Sequence, residues 1–200
     1  MAVFNELELD CLKEFMNIGV GKSARSLAEL FGRRVGLSVP QVMELDPGTL
    51  GVFLRDYGGT ASCYEAAGQD FFGPLQGQGF FFLNRSEALS MASVIGLELD
   101  MADGIITDLV EELSNLVLVS CVGFMAEALK GACSFSAPHY LGCETNLTGV
   151  AERGDVRLGL KTVFSFGPGN ADGHLVLTVR GSSLPWLKSA LDAHLAGLSC

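Results

Sequence analysis

The sequence predicts an α+β fold, built as tandem duplicated helix–strand–strand–hairpin–helix units with pseudo-two-fold symmetry and a mainly antiparallel sheet packed by long helices. Three observations lead there. A set of polar residues returns at a fixed spacing, with Asp10, Glu14, Asn17 and Pro40 reappearing as Asp108, Glu112, Asn115 and Pro138, each 98 residues on. Four residue types returning in one register point to a repeated unit. Each half also carries a long helical pattern, and each carries a pair of strand patterns around a Gly-rich turn. Helices segregated from hairpin-linked strands favour α+β over a doubly wound sheet.

The first helix runs from Glu6 to about Phe31, with Leu12, Phe15, Gly19 and Leu27 turned to a packed face. A strand follows over 35–45, interrupted by Pro40, which has no N–H to donate and so belongs at an edge or bulge. Strands over 60–72 and 79–83 flank the turn Gly73-Pro74-Leu75-Gln76-Gly77-Gln78. Asn84-Arg85-Ser86 then supplies capping oxygens for a helix over 87–96. The second half repeats this order: a helix over 103–130, a proline-bearing strand over 133–143, and strands over 156–166 and 174–179. Ser182-Ser183 precede a last helix from Leu184 to about Leu195. The repeats span about 5–98 and 103–198, with no Ser- or Pro-rich linker between them, so residues 1–200 are expected to pack as one domain. Duplication supplies internally the symmetry that a dimer would otherwise provide, and a monomer is expected.

Composition excludes several classes. Hydrophobic residues make up 48% and charged residues 18%, which is globular rather than disordered. With a net charge of −10 and 13 Lys and Arg in no basic run, nucleic-acid binding and anionic membrane surfaces are disfavoured. The acidic start lacks an apolar core, so no leader is expected, and reduced thiols at 11, 63, 121, 133, 143 and 200 fit a cytoplasmic setting. Cys11 and Cys121 fall inside helices and are expected to act as small hydrophobes, and Cys133 and Cys143 as core positions rather than a redox pair. His139, His174 and His194 are scattered, and no metal site is expected. Gly21-Lys22-Ser23 ends like a phosphate-binding loop, but position 16 is Met and the stretch follows a helical pattern, so its glycines are assigned to close helix packing or a local bend. Trp186 and Leu187 are assigned to the core rather than to a partner surface.

The chemistry lies on the two long helices. Asp10, Glu14 and Asn17 stand at i, i+4 and i+7, on one face, and Asp108, Glu112 and Asn115 repeat the arrangement. A polar stripe on one helix is ordinarily just its solvated side. Solubility does not require the same acid and the same amide at the same spacing twice, and Asn is a mediocre helix former. No His or Cys joins either set, so a nucleophilic triad is absent. A carboxamide is a poor base but can orient a water through hydrogen bonds, which suits phosphoryl transfer, where positioning and charge dominate.

The pattern Asp/Ser-x3-Glu-x2-Asn-x22-Pro resembles the signature of the CheC, CheX and FliY phosphatases of bacterial and archaeal chemotaxis, and the chain matches it twice without departure. Asn17-Ile18-Gly19-Val20-Gly21 is similar to the family's first helix. Two motifs and no extra flagellar-switch domain look like CheC rather than single-motif CheX or the longer FliY. The resemblance implies that Asn17 and Asn115 each direct a water at the aspartyl phosphate of a CheY-like receiver. It implies that Glu14 and Glu112 pair with the receiver's active-site lysine, and that Asp10 and Asp108 support docking. Magnesium would belong to the receiver, with no cofactor bound by this chain. The deamidase CheD is a second partner the resemblance implies. A non-catalytic module that binds a receiver or CheD is the alternative, and a flagellar-switch role a third reading.

Overall fold

The computed structural model describes residues 3–46, 49, 52–53, 64–96, 102–144, 155–166 and 172–198. Among the described residues the elements with assigned bounds follow in the order α1 (Glu6–Phe31), β1 (Gly36–Leu37), β2 (Gln41–Glu44), β3 (Tyr64–Phe72), β4 (Gly77–Asn84), α2 (Arg85–Val94), α3 (Ala102–Ala128), β5 (Ser134–Phe135), β6 (His139–Glu144), β7 (Val156–Ser165), β8 (Asp172–Arg180) and α4 (Leu184–Leu198). This is the expected α+β class, with every described strand pair antiparallel.

The strands form one sheet in the order β1-β7-β8-β4-β3-β5, with β2 also on β7 and β6 also on β3. The hairpins β3–β4 and β7–β8 sit in the middle, and the proline-bearing strands lie at the edges. Pro40 and Pro138 each split what the sequence suggests is a single strand, leaving β1 and β2 on one side and β5 and β6 on the other. The missing N–H breaks the ladder there. Edge strands are exchanged between halves: Gln41, after Pro40, pairs with Lys161, and His139, after Pro138, pairs with Gly68. The beginning of the predicted strand over 60–72 and most of the turn over 167–173 lie outside the described residues.

Alternation along β4 divides the sheet into two faces. Phe81 and Leu83 join the main core with α1 and α3, whereas Phe80 and Phe82 join a smaller cluster with Leu45, Phe53, Tyr64 and Val176. The helix α3 packs against α1 and against β3 and β4. Among the described residues it is also the one helix long and apolar enough to cross a bilayer. Its Ile106, Val110, Leu113, Val117, Cys121 and Val122 are buried within the domain, and each such side chain contributes about 1.5–3 kcal/mol by leaving water.

Helix α1 begins at a capping box. Asn5 Oδ1 accepts from the Glu8 N–H at 3.0 Å, and Glu8 Oε2 accepts from the Asn5 N–H at 2.7 Å. It ends at Gly32, whose φ of 62° is the left-handed conformation that glycine adopts without strain. The buried Glu8 carboxylate also receives Lys188 Nζ from α4 at 2.5 Å, which ties the last helix to the first. Burial alone would push the Glu8 carboxyl up. Hydrogen bonds from Lys188 and the Asn5 N–H, with the Lys188 charge, outweigh it and hold Glu8 below the usual carboxylate range. A lowered folded value means stabilisation that is complete above the unfolded value of about 4.3 and is lost as pH falls through the folded one. Glu8→Ala should cost about 1–3 kcal/mol at neutral pH, and urea midpoints measured across pH 3–7 should show a shallower acid limb in the variant.

Helix α2 starts at Arg85, two residues earlier than expected, with Asn84 Oδ1 accepting from the Ser86 N–H at 2.9 Å. Before α4, Ser182 and Ser183 lie in a 3-10 turn, Gly181–Ser183. Ser183 Oγ accepts from the Gln76 N–H at 2.8 Å, so it secures the loop of the other half's hairpin. Leu187 is buried as expected, while Trp186 is half-buried and closes over Gly131, where a Cβ would come within 2.6 Å of its ring.

Candidate functional site

The two long helices run antiparallel across each other. Phe15 meets Phe124 edge-on with ring centroids 6.5 Å apart, a Cβ on Gly19 would sit 2.9 Å from the Cys121 backbone, and Ser23 Oγ donates to the Val117 carbonyl at 3.3 Å. Gly19 therefore permits the close approach assigned to it, whereas Gly21 faces open space. The contacts are reciprocal under the 98-residue spacing, since 19 meets 121 and 23 meets 117.

Asp10, Glu14 and Asn17 are exposed along α1, while Leu12, Phe15, Met16 and Gly19 turn inward. Asp10 Oδ1 takes Lys13 Nζ at 2.8 Å in an exposed ion pair. Asn17 has no side-chain hydrogen bond among the described residues. On α3, Asp108 and Glu112 are exposed. Asn115 is half-buried rather than fully exposed, and its Oδ1 accepts from Gln69 Nε2 at 3.0 Å. Antiparallel crossing sends the two stripes to opposite ends of the helix pair and does not merge them into one site. Residue 123 of α3 lies across from Asn17, eight positions from Asn115, so the asparagines are offset by about 12 Å along the helices. Exposed Ile18 and Val119 lie on the same two helices and offer apolar contact beside the polar stripes.

Below each stripe lies an edge strand with its proline. The segment before Pro138 bonds to β3: the Asp70 N–H donates to Ser136 Oγ at 3.0 Å, and the Ser136 N–H donates to the Asp70 carbonyl at 3.0 Å. The segment before Pro40 makes the matching pair with β7, from the Val163 N–H to Ser38 Oγ at 2.9 Å and from the Ser38 N–H to the Val163 carbonyl at 2.9 Å. Gln69 and Thr162, one residue earlier on each strand, are consequently equivalent positions. Neither was identifiable from the sequence, because the hairpins repeat at a spacing different from that of the helices.

The thiols lie apart from this chemistry. Cys121 is fully buried, and desolvation pushes its thiol up to about 12. Burial, and secondarily the Glu14 carboxylate, also raises half-buried Cys11. Cys133 is half-buried and likewise raised by burial, and its Sγ contacts the Leu75 carbonyl at 3.5 Å. The Cys143 side chain lies outside the described residues. Among the described residues no cluster of three or more His, Cys, Asp or Glu could hold a metal ion. The arrangement is two carboxylate-and-amide stripes, each able to bond a cation and a water.

Comparison with known proteins bears on the fold and on the segment that holds the first stripe. Residues 7–44, which contain Asp10, Glu14, Asn17 and Pro40, match the CheC-like family. No curated protein matches the chain. Thermotoga maritima FliY is similar over 96% of this chain and 100% of its own solved chain, at 17% identity and a TM-score of 0.70. A chain of the CheX–CheY–BeF3–Mg complex from Borrelia burgdorferi matches over 81% of this chain and 96% of its own, at 14% identity and a TM-score of 0.56. A chain of the FliM–SpeE complex from H. pylori matches over 94% and 97%, at 13% identity and a TM-score of 0.63. At these identities the likeness establishes a shared fold, and with the matched motif it supports the CheC-type resemblance.

Proposed function

We propose that this chain dephosphorylates a phosphorylated CheY-like receiver in chemotaxis signalling, by positioning a water for in-line attack on the aspartyl phosphate. The observation that carries the reading is the same pairing presented on two helices whose inner faces build the core: exposed Glu14 with exposed Asn17, and exposed Glu112 with half-buried Asn115. The carboxylate pairs with the receiver's active-site lysine and sets the docking register. The carboxamide bonds the attacking water and fixes its direction. Asp10 and Asp108, one turn before the glutamates, extend the acidic edge that meets the receiver. The receiver brings the magnesium, which neutralises charge on the phosphoryl oxygens, and no covalent intermediate forms on this chain.

The energetic demand is modest. An acyl phosphate is already labile, and a 100-fold acceleration needs about 2.7 kcal/mol. One oriented water and one ion pair are enough. The CheX–CheY complex among the solved relatives supports a receiver as the partner. The exchanged edge strands and reciprocal helix contacts support reading the two halves as copies of one ancestral unit.

A module that only sequesters the receiver would use the same stripes, and the two are separated by the receiver's phosphoryl lifetime. A phosphatase shortens that lifetime even when the receiver is in ten-fold excess. A sequestering module leaves it unchanged or prolongs it, and that outcome would overturn the proposal.

A further inference from the structure

The two stripes match in residue type but differ beneath. Gln69 is 2% exposed on β3, and its Nε2 bonds both Asn115 Oδ1 at 3.0 Å and the Ser136 carbonyl at 2.6 Å. The Ser136 carbonyl is an acceptor only, so the Gln69 group facing it must be the NH2 rather than the oxygen. The remaining Gln69 proton then selects the oxygen of Asn115. This fixes which way the Asn115 carboxamide lies, and leaves one Oδ1 lone pair and both Nδ2 protons for a water. Gln69 Oε1 is buried with no hydrogen-bond partner among the described residues. Leaving a buried acceptor unpartnered costs stability, which the two bonds from Nε2 offset only in part.

At the equivalent place on β7, Thr162 is equally buried, but its hydroxyl turns down to the edge strand, with Oγ1 donating to the Ser38 carbonyl at 3.0 Å. Threonine ends at its γ atoms and does not reach the helix above. Asn17 therefore stands without the tether that Asn115 has. The two sites present the same amide in two states, one held and one free to rotate.

We propose that Gln69 is a positioning residue of the second site: its buried carboxamide locks that of Asn115 in one orientation, and the first site, with Thr162, has no counterpart. The inference rests on the phosphatase reading. A fixed amide has no rotation to lose when the water is lined up, so the lock acts on the chemical step rather than on docking. Gln69 touches neither the receiver nor the water.

The test is Gln69→Thr, which installs a residue already accommodated at the matching buried position. It is made in two backgrounds, Asn17→Ala, where only the second site remains, and Asn115→Ala, where only the first remains. Phosphate release from a phosphorylated receiver should fall about ten-fold in kcat in the Asn17→Ala background, with KM within about two-fold. In the Asn115→Ala background kcat should not change, because the tether has nothing to hold. Equal losses in both backgrounds would mean damage to the fold, and no loss in the first would mean no positioning; either overturns the proposal. The side-chain amide signal of Asn115 in the protein alone gives a reading independent of turnover. Its order should drop towards that of Asn17 in Gln69→Thr, and an unchanged order overturns the tether even if no receiver is hydrolysed. A chain that hydrolyses nothing while Asn115 loosens as expected contradicts the phosphatase reading alone.

Discussion

Replacing Asn17 and Asn115 together by Ala should abolish acceleration of receiver dephosphorylation, a loss of at least about 100-fold, equivalent to about 2.7 kcal/mol of transition-state stabilisation. The fold should survive. Asn17 is exposed on a helix, where Ala is the better helix former by a few tenths of a kcal/mol. Asn115→Ala leaves one Gln69 proton without its acceptor, a cost of about 1 kcal/mol. Affinity for the receiver should stay within a few-fold, because the glutamates and the apolar contacts from Ile18 and Val119 remain. Titration of receiver binding beside phosphate release checks this: binding without turnover is the expected pair of results. Turnover retained in the double variant would remove the amides from the chemistry and leave the stripes as a docking edge.

The second large effect concerns the helix crossing that supports both stripes. Glycine in a helix interior costs about 1 kcal/mol relative to Ala, so filling it should stabilise a helix wherever space allows. Gly21 has that space, and Gly21→Ala should gain about 0.5–1 kcal/mol. Two residues away the sign reverses. A Cβ at Gly19 would lie 2.9 Å from both the Cα and the carbonyl oxygen of Cys121, and these backbone atoms cannot move without shifting α3. Gly19→Ala should cost about 1–3 kcal/mol, and Gly19→Leu more, as the helices part and the Ser23–Val117 bond breaks. Urea unfolding of the three variants gives the comparison. Stabilisation by Gly19→Ala would contradict the close crossing, and with it the relative placement of the stripes.

Much of this was legible in the sequence because the relevant forces are local. Asn5 and Glu8 cap α1, Gly32 ends it, and the apolar period turns Leu12, Met16 and Leu27 inward, so its limits of Glu6 and Phe31 follow from residues adjacent in the chain. The stripes were legible for the same reason, since i, i+4 and i+7 share a helix face. Prolines 40 and 138 narrowed their strands to an edge or a bulge, because a missing donor can be read from residue type alone, and both lie at edges. The exchange of those edges between halves could not be read. Strand periodicity fixes which face a residue takes, not which neighbour its backbone bonds. Gln69 was missed for a related reason. Its role depends on a strand, a helix and an edge segment from both halves meeting at one point, a meeting set by the pairing of Gly68 with His139 and of Phe71 with Phe135. Ser183 illustrates the limit of local capping rules, since its hydroxyl went to Gln76, 107 positions away.

The account turns on catalysis by the two amide-bearing stripes, and the most direct measurement is phosphate released per chain. With the protein at one-tenth the concentration of a continuously phosphorylated receiver, the expected result is many equivalents of phosphate per chain at a rate proportional to chain concentration. Phosphate appearing no faster than the receiver releases it alone, at every chain concentration, would contradict it.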